Sequence, residues 1–125
     1  MKYLFICYPK CSTCNKAKKY LDESNIDYEL RDIKKDNPNK DELKEWIEKS
    51  GLPIKKFFNT SGTIYKTLNL KDKLASMTDD EKVELLATDG MLVKRPILVG
   101  ENKVLVAFKE AEWDNSLNNG GNGHI

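Results

Sequence analysis

The chain has 125 residues, with 21 lysine and arginine side chains against 20 aspartate and glutamate side chains, for a formal net charge of +1. This length suits one domain with a modest core, and the near-neutral charge argues against a general electrostatic attraction to nucleic acid or to an anionic membrane. No apolar run approaches the roughly 20 residues that span a bilayer, and the opening run is too short for a signal peptide, so we predict a cytoplasmic protein.

The first predicted element is a strand at 3–7, a short aromatic and β-branched run of the kind that is buried on both faces of a sheet. The next apolar residues repeat at i, i+3 and i+7, which is the spacing of one face of a helix: Cys14, Ala17 and Leu21. A C-x-x-C pair, Cys11 and Cys14, therefore lies at a strand-to-helix turn, with Ser12 or Thr13 available as the N-cap.

This position favours the thiolate form of Cys11. The backbone N–H groups and the positive dipole end of the helix face the Cys11 sulfur, and Lys10 and Lys16 add positive charge. A thiolate is nucleophilic at neutral pH, and Cys14, one turn further on, can attack a mixed disulfide formed at Cys11. We predict that Cys11 is the nucleophile and Cys14 the resolving thiol, because Cys14 lies on the apolar stripe.

Three other interpretations of the C-x-x-C pair stay open. Half of a zinc site would need two more ligands, for which only Cys7 and the near-terminal His124 remain. A structural disulfide would close a very small loop and restrict the unfolded chain little, and the pair could also be two inert thiols. The odd count of three cysteines suits a reducing compartment, and we interpret Cys7 as a small core residue.

Two capped helices follow a second strand. Residues 28–32 predict a strand half exposed at a sheet edge, which completes a βαβ unit with parallel strands. Asn39 begins a helix through a capping box and Gly51 ends it. Thr78 begins another in the same way, over 79–88.

The last part of the chain predicts a hairpin and a short helix. Two apolar runs, 91–99 and 104–108, flank a Gly-Glu-Asn-Lys turn. Proline cannot donate to a strand ladder, so Pro96 should open its strand, where a cis bond can occur. The closing helix holds Trp113, and the polar, glycine-rich tail at 118–125 is predicted to be disordered.

This order of elements predicts an α/β fold in one domain, residues 1–117. We expect a thioredoxin-like, glutaredoxin-type mixed four-stranded sheet flanked by helices, with a helical insertion between its βαβ and ββα halves. Three blocks carry a family resemblance: 8–14 with the C-x-x-C pair, 57–62 (Phe-Phe-Asn-Thr-Ser-Gly) and 94–97 (Lys-Arg-Pro-Ile). At their separations they resemble the ArsC and Spx family, over residues 2–117.

The resemblance implies roles for particular residues. In the glutaredoxin-coupled arsenate reductases of this family a cysteine attacks arsenate while three arginines hold the oxyanion. The cysteine matches Cys11 and one arginine matches Arg95, but the other two positions fall at Asn59 and Ala107, which carry no charge. Arsenate is therefore expected to be a poor substrate. Nearby lysines could substitute if the fold turns one inward: Lys55, Lys56 and Lys103.

The Spx branch of the family implies a partner. It carries a C-x-x-C switch and binds the α subunit of RNA polymerase, and a glycine matching Gly51 belongs to that partner surface, although Gly51 is equally explained as a helix C-cap. Arg95 precedes Pro96 in the loop that faces the C-x-x-C pair in thioredoxin-like folds, where it would stabilise the Cys11 thiolate; the alternative is an ordinary surface arginine. The resemblance also implies a cis bond at Pro96.

We therefore expect a thiol–disulfide redox protein, an oxidoreductase with Cys11, Cys14 and Arg95 as its catalytic residues. An Spx-like regulator that binds the RNA polymerase α subunit and a glutaredoxin-coupled arsenate reductase are the alternatives. No bound cofactor or metal is expected, and glutathione, glutaredoxin and thioredoxin are the candidate reductants. The expected partner is a thiol-redox protein or glutathione, with no direct contact to nucleic acid or membrane, and the chain is expected to be a monomer.

Overall fold

The computed structural model describes residues 2–119, of which 118 and 119 are described by their backbone alone. Four strands form one mixed sheet in the order β2-β1-β3-β4: β1 (Tyr3–Cys7), β2 (Tyr28–Asp32), β3 (Ile97–Val99) and β4 (Val104–Val106). β1 and β2 are parallel, whereas β3 runs antiparallel to both β1 and β4. This is the predicted α/β fold, with its βαβ unit and its hairpin.

β1 sends alternate apolar side chains to opposite faces of the sheet, and helices cover both of these faces. The α-helices of the described residues are α1 (Ser12–Glu23), α2 (Lys40–Ser50), α3 (Thr63–Thr67), α4 (Leu70–Lys73), α5 (Asp79–Leu86) and α6 (Glu110–Asp114). Phe5 and Cys7 pack with residues of α1 and with Trp113 of α6. Ile6 packs on the other side, with residues of α2 to α5. Cys7 is buried, as predicted.

The predicted caps of the two central helices are confirmed. Asn39 and Glu42 form a capping box at the start of α2, and Gly51 ends that helix in the left-handed conformation at φ +69°. Thr78 and Glu81 form the second box. That helix, α5, ends at Leu86, two residues before the predicted end at Thr88, because Thr88 already closes a tighter turn onto Leu85.

The predicted N-cap of α1 is wrong. Cys11 itself is the N-cap residue rather than Ser12 or Thr13, with φ −91° and ψ 123°. The Cys11 N–H closes a turn onto the Tyr8 carbonyl at 2.9 Å, and the Cys11 carbonyl accepts from the Asn15 N–H at 3.1 Å. The turn ends at Cys11, so the first helical hydrogen bond forms one residue earlier than the hydroxyl side chains suggest.

Pro96 stands immediately before β3, and the bond between Arg95 and Pro96 is cis, as the resemblance implied. The Pro96 carbonyl accepts a hydrogen bond from the Ala107 N–H at 2.9 Å, which ties the start of β3 to the end of β4. Ala107 has a positive φ of 64°. The hydrogen bond between Ala107 and Pro96 holds the end of the preceding loop beside the sheet.

A close approach of backbone positions the loop at 90–95. Gly90 lies against the carbonyl group of Ile33, and a Cβ at this position would overlap with that carbonyl oxygen. Phe58 and Val93 form an isolated antiparallel bridge, with the Lys94 N–H bonded to the Phe57 carbonyl at 2.7 Å. The blocks at 57–62 and 94–97, which belong to the family resemblance, are therefore joined by a backbone hydrogen bond.

Of the predicted tail at 118–125, residues 118 and 119 end a π-helical turn, Asn115–Asn119. Residues 120–125, including His124, lie outside the described residues. Within residues 2–119, no helix has the length and apolar character needed to cross a membrane.

Candidate functional site

Cys11, the first cysteine of the C-x-x-C pair, lines a cleft of about 440 Å³, here called the Cys11 cleft. Its polar and reactive lining residues come from the start of α1, from the two segments that the bridge joins and from the start of α3: Cys11, Thr13, Asn59, Ser61, Thr63, Lys94 and Arg95. Two blocks far apart in sequence thus meet the helix start at one place. The cleft gathers one thiol, two cations and several neutral hydrogen-bonding groups.

Cys11 is the accessible thiol of this cleft. Its side chain is half-buried, whereas Cys7 and Cys14 are 4% and 0% exposed. Because Cys11 is the N-cap residue and makes no side-chain cap hydrogen bond, its sulfur lies where the N–H groups and the positive dipole end of α1 attract negative charge. Exposure and position both suit a nucleophile.

Cys14 is buried one turn along α1. Its Sγ accepts a hydrogen bond from the Tyr8 N–H at 3.2 Å. A hydrogen bond with the Cys7 thiol and burial raise the pKa of the Cys14 thiol well above its ordinary value, against the opposing effect of the Tyr8 N–H. Cys14 therefore keeps its proton at neutral pH in the reduced protein, which suits a thiol that reacts second.

Arg95 lines the Cys11 cleft and carries side-chain donors that are not hydrogen-bonded within residues 2–119. Its Nε and Nη1 atoms are buried and have no hydrogen-bond partner among residues 2–119. The guanidinium carbon lies 5.4 Å from the centroid of the Tyr8 ring, a cation–π distance. Burying donors without partners is unfavourable, so the site is suited to an anion that would accept from them.

The two positions that lack a family arginine have different surroundings. Asn59 lies in the Cys11 cleft, where its side chain accepts from the Ser61 hydroxyl at 3.3 Å and its Nδ2 lies 3.5 Å from the Met91 carbonyl. Ala107 does not line that cleft. It lies in a neighbouring cleft of about 610 Å³, here called the lysine cleft after the side chains that line it: Lys55, Lys56, Lys94 and Lys109.

Lys94 is the cleft residue that sequence reasoning missed. It lines both clefts, whereas the three lysines proposed as substitutes do not reach the Cys11 cleft. Lys55 and Lys56 line only the lysine cleft, and the Lys103 ammonium donates to the Ser116 carbonyl. The sequence feature that could have indicated Lys94 is its position directly before Arg95. The direction of its side chain, however, depends on the bridge between Phe58 and Val93.

The zinc interpretation finds no support in the part of the chain that is described. No three histidine, cysteine, aspartate or glutamate side chains of residues 2–119 come together as metal ligands. His124, which the interpretation required, lies outside those residues.

Comparison with known proteins gives a consistent family. The ArsC family model matches residues 7–116. The uncharacterized protein YusI of Bacillus subtilis is 53% identical over 114 residues, covering 91% of this chain and 97% of YusI. The regulatory protein MgsR of Bacillus subtilis is 32% identical, covering 86% of this chain and 84% of MgsR.

Solved structures agree with the fold. An ArsC-family-related protein from Bacteroides fragilis has a TM-score of 0.89 at 60% identity, covering 92% of this chain and 97% of its own. A protein from Streptococcus mutans described as a possible arsenate reductase has a TM-score of 0.84 at 49% identity, covering 92% of this chain and 98% of its own.

Proposed function

The chain belongs to the ArsC family, and from this premise we propose that it is a thiol–disulfide oxidoreductase in which Cys11 is the nucleophile and Cys14 the resolving thiol. One observation carries the proposal. A half-exposed thiol at the start of α1 shares a cleft with the buried, unpartnered donors of Arg95, and a second thiol lies buried one turn away.

The reduced protein would act in two exchange steps. The Cys11 thiolate attacks one sulfur of a substrate disulfide, forming a new S–S bond, and the other substrate sulfur leaves as a thiolate. Cys14 then loses its proton and attacks the Cys11 sulfur, which releases the second substrate thiol. The substrate gains two electrons, and the protein is left with a disulfide between Cys11 and Cys14.

Neighbouring groups support both steps. The guanidinium of Arg95 can donate to the negative charge on Cys11 or on the departing sulfur, and charge-assisted hydrogen bonds of this kind are the strong ones. The Tyr8 N–H already bonds the Cys14 sulfur, so it can hold the charge that develops when Cys14 is deprotonated.

The return to the dithiol requires a reductant. Glutathione, glutaredoxin and thioredoxin are the candidates, and we propose the cytoplasm as the compartment because its thiol pools keep such pairs reduced.

The test is a redox titration of the wild-type protein in glutathione buffers and in thioredoxin buffers, with peptide mapping at each step. We expect one two-electron transition that joins Cys11 to Cys14 and leaves Cys7 as a thiol. The variants Cys11→Ser and Cys14→Ser should each lose the transition, and Cys7→Ser should keep it. A principal disulfide that contains Cys7 would contradict the proposal.

An Spx-like regulator that binds the RNA polymerase α subunit is the second candidate. MgsR is named a regulatory protein, and an apolar groove of about 630 Å³ adjoins Gly51, the glycine that the resemblance places on the partner surface. Ile47 of α2 and the exposed Leu52, the residue after Gly51, line this groove, and charged side chains of α2 and α5 line it as well: Lys44, Glu48, Asp79 and Asp80. A pull-down with purified α subunit tests this candidate: capture of the wild type that Leu52→Glu abolishes would favour it, and no capture would exclude it.

A further inference from the structure

The lysine cleft concentrates positive charge beside the Cys11 cleft. Four lysines line it against a single acidic residue, Glu112, although the whole chain has a net charge of only +1. Lys109 lies 3.5 Å from Glu112. The other three, Lys55, Lys56 and Lys94, form no ion pair with any residue of 2–119. The local excess of charge is therefore not neutralised within the described chain.

The lysine cleft and the Cys11 cleft are neighbours that share one lining residue, Lys94. Lys94 lines both clefts, with Cys11 in one and Lys55 and Lys56 in the other. A ligand that reaches Cys11 can therefore extend past Lys94 into the lysine cleft. The Cys11 cleft has a volume of about 440 Å³ and the lysine cleft one of about 610 Å³, so each can hold a short stretch of polypeptide.

The walls of the lysine cleft suit a polypeptide. Val106 and the exposed Leu52 offer apolar surface between the ammonium groups. Phe58, the one aromatic residue among those that line the cleft, is 1% exposed. Single-stranded nucleic acid is bound through exposed aromatic side chains on which bases stack, and this cleft offers none from the described residues.

We propose that the lysine cleft binds an acidic segment of the protein whose disulfide Cys11 attacks, with acidic side chains of that partner paired to Lys55 and Lys56. This inference rests on the proposed function and names its substrate class. Complementary charge raises the rate of encounter and fixes orientation, so a cysteine flanked by acidic residues is presented to Cys11 in one register.

The test measures the exchange rate with two synthetic peptides of equal length. Each carries one cysteine as a mixed disulfide with 5-thio-2-nitrobenzoate, flanked on one side by three glutamates or by three glutamines. The Cys11 thiolate attacks the peptide sulfur, the S–S bond breaks, and the coloured nitrobenzoate leaves as a thiolate with the bonding electrons. Its absorbance gives the second-order rate constant, and 20 mM and 500 mM NaCl are compared.

We expect the wild type to react about tenfold faster with the acidic peptide at 20 mM NaCl, the size of effect that two or three modest ion pairs give. At 500 mM NaCl the ratio should fall toward one, because exposed charges are screened. The variant Lys55→Gln/Lys56→Gln should also bring the ratio toward one at low salt. Lys2→Gln/Lys19→Gln removes the same charge from exposed positions outside both clefts and should keep the preference.

Other outcomes would overturn the inference. Equal rates for the two peptides in the wild type would show that the lysines do not select the partner, and a preference that survives in Lys55→Gln/Lys56→Gln would place the selection elsewhere. Tighter binding of a 20-nucleotide single-stranded DNA than of the acidic peptide would make the cleft a nucleic-acid surface. Release of nitrobenzoate from neither peptide would contradict the proposed function itself, and the inference with it.

Discussion

The two thiols of the C-x-x-C pair have different surroundings although only two residues separate them. Cys11 is half-buried at the start of α1, while Cys14 is 0% exposed and hydrogen-bonded to the Tyr8 N–H. Cys11 is the N-cap residue and lies outside the helical turns with an extended backbone, whereas Cys14 lies on the apolar stripe of α1 that packs on the sheet with Ala17 and Leu21. Reactivity should follow this difference.

We therefore expect iodoacetamide at pH 7 to alkylate Cys11 before either other cysteine. Burial shields both Cys7 and Cys14 from the reagent. The hydrogen bond between these two thiols raises the pKa of Cys14 and lowers the pKa of Cys7, so Cys7 is protected by burial alone. Mass spectrometry of digests taken over time measures the order. In Cys11→Ser the fast phase should vanish, and faster labelling of Cys14 or Cys7 in the wild type would contradict the assignment.

Arsenate is expected to be a poor substrate. A doubly charged oxyanion in the Cys11 cleft would meet Arg95 and Lys94 but no second arginine, because Asn59 is neutral and Ala107 lies in the other cleft. Each missing charge-assisted contact costs roughly 1.5–3 kcal/mol. In an assay coupled to glutathione and glutaredoxin, we expect turnover below about 1 per second.

Faster arsenate turnover would mean that Lys94 replaces the missing arginines, and Lys94→Gln would then abolish it. A protein of the family that keeps the three arginines serves as the positive control for the coupled assay.

At the scale of elements, β2 and α2 are linked by one ion pair. The Arg31 guanidinium donates to both carboxylate oxygens of Glu42, at 2.7 and 2.9 Å. The same carboxylate accepts from the Asn39 N–H in the capping box at 3.0 Å. One side chain thus caps a helix and fixes it to an edge strand.

The link predicts a pH dependence of stability. The hydrogen bonds from Arg31 lower the pKa of Glu42 below its ordinary value of 4.5, so the folded state binds this proton less well than the unfolded state. The stabilisation is full above pH 4.5 and is lost as the pH falls through the lower, folded-state pKa. We expect Glu42→Gln to cost about 1–2 kcal/mol at pH 7.

Urea unfolding of the wild type and Glu42→Gln between pH 7 and pH 3 measures this difference. The two free energies of unfolding should approach each other as the pH falls, because protonation of Glu42 removes the charge that glutamine also lacks. Glu45→Gln, which removes an exposed i, i+4 pair with Lys49 on the same helix, is the matched control and should change stability by less than about 0.5 kcal/mol. A constant difference across the range would contradict the prediction.

The loop that carries Lys94 and Arg95 depends on Gly90. A Cβ there would overlap with the Ile33 carbonyl, so the backbone must shift. We expect Gly90→Ala to destabilise the protein by about 3 kcal/mol or more in urea unfolding. Gly51→Ala is the control, since Gly51 has open space around it and only its φ of +69° opposes a side chain; its cost should be about 1 kcal/mol. Equal costs would show that the close approach relaxes easily.

Local patterns predicted the elements well wherever the signal lay within a few residues. The capping boxes at Asn39 and Thr78 and the strand at Tyr28–Asp32 follow from neighbouring residues, and the structure contains them. The start of α1 was misplaced because the turn at Tyr8, rather than a hydroxyl side chain, decides where the helix begins. The segment at 57–62 was specified least, and the run at 91–99 forms a strand only over Ile97–Val99. The shape of both segments comes from a bridge between residues 35 positions apart.

At the scale of the whole molecule, the family resemblance supplied what local patterns could not. It brought together the three blocks that line the Cys11 cleft, placed Cys11 and Arg95 in it, and indicated the cis bond before Pro96. It gave Lys94 no role in the site, although Lys94 belongs to one of the blocks, and it did not indicate the lysine cleft. The placement of these lysines depends on the direction of exposed side chains after the helical insertion has packed on the sheet. The composition of the chain carries no information about that direction.

β1 is the most enclosed strand of the sheet. β1 is paired on both edges, by β2 and β3, and covered on both faces, and the turn to Cys11 leaves directly from its end. Amide protons of such a central strand exchange with deuterium only when the whole molecule unfolds. We expect the amides of Phe5 and Ile6 to exchange among the slowest in the chain, and a disulfide between Cys11 and Cys14 should change their exchange rate only by as much as it changes the free energy of unfolding of the whole molecule.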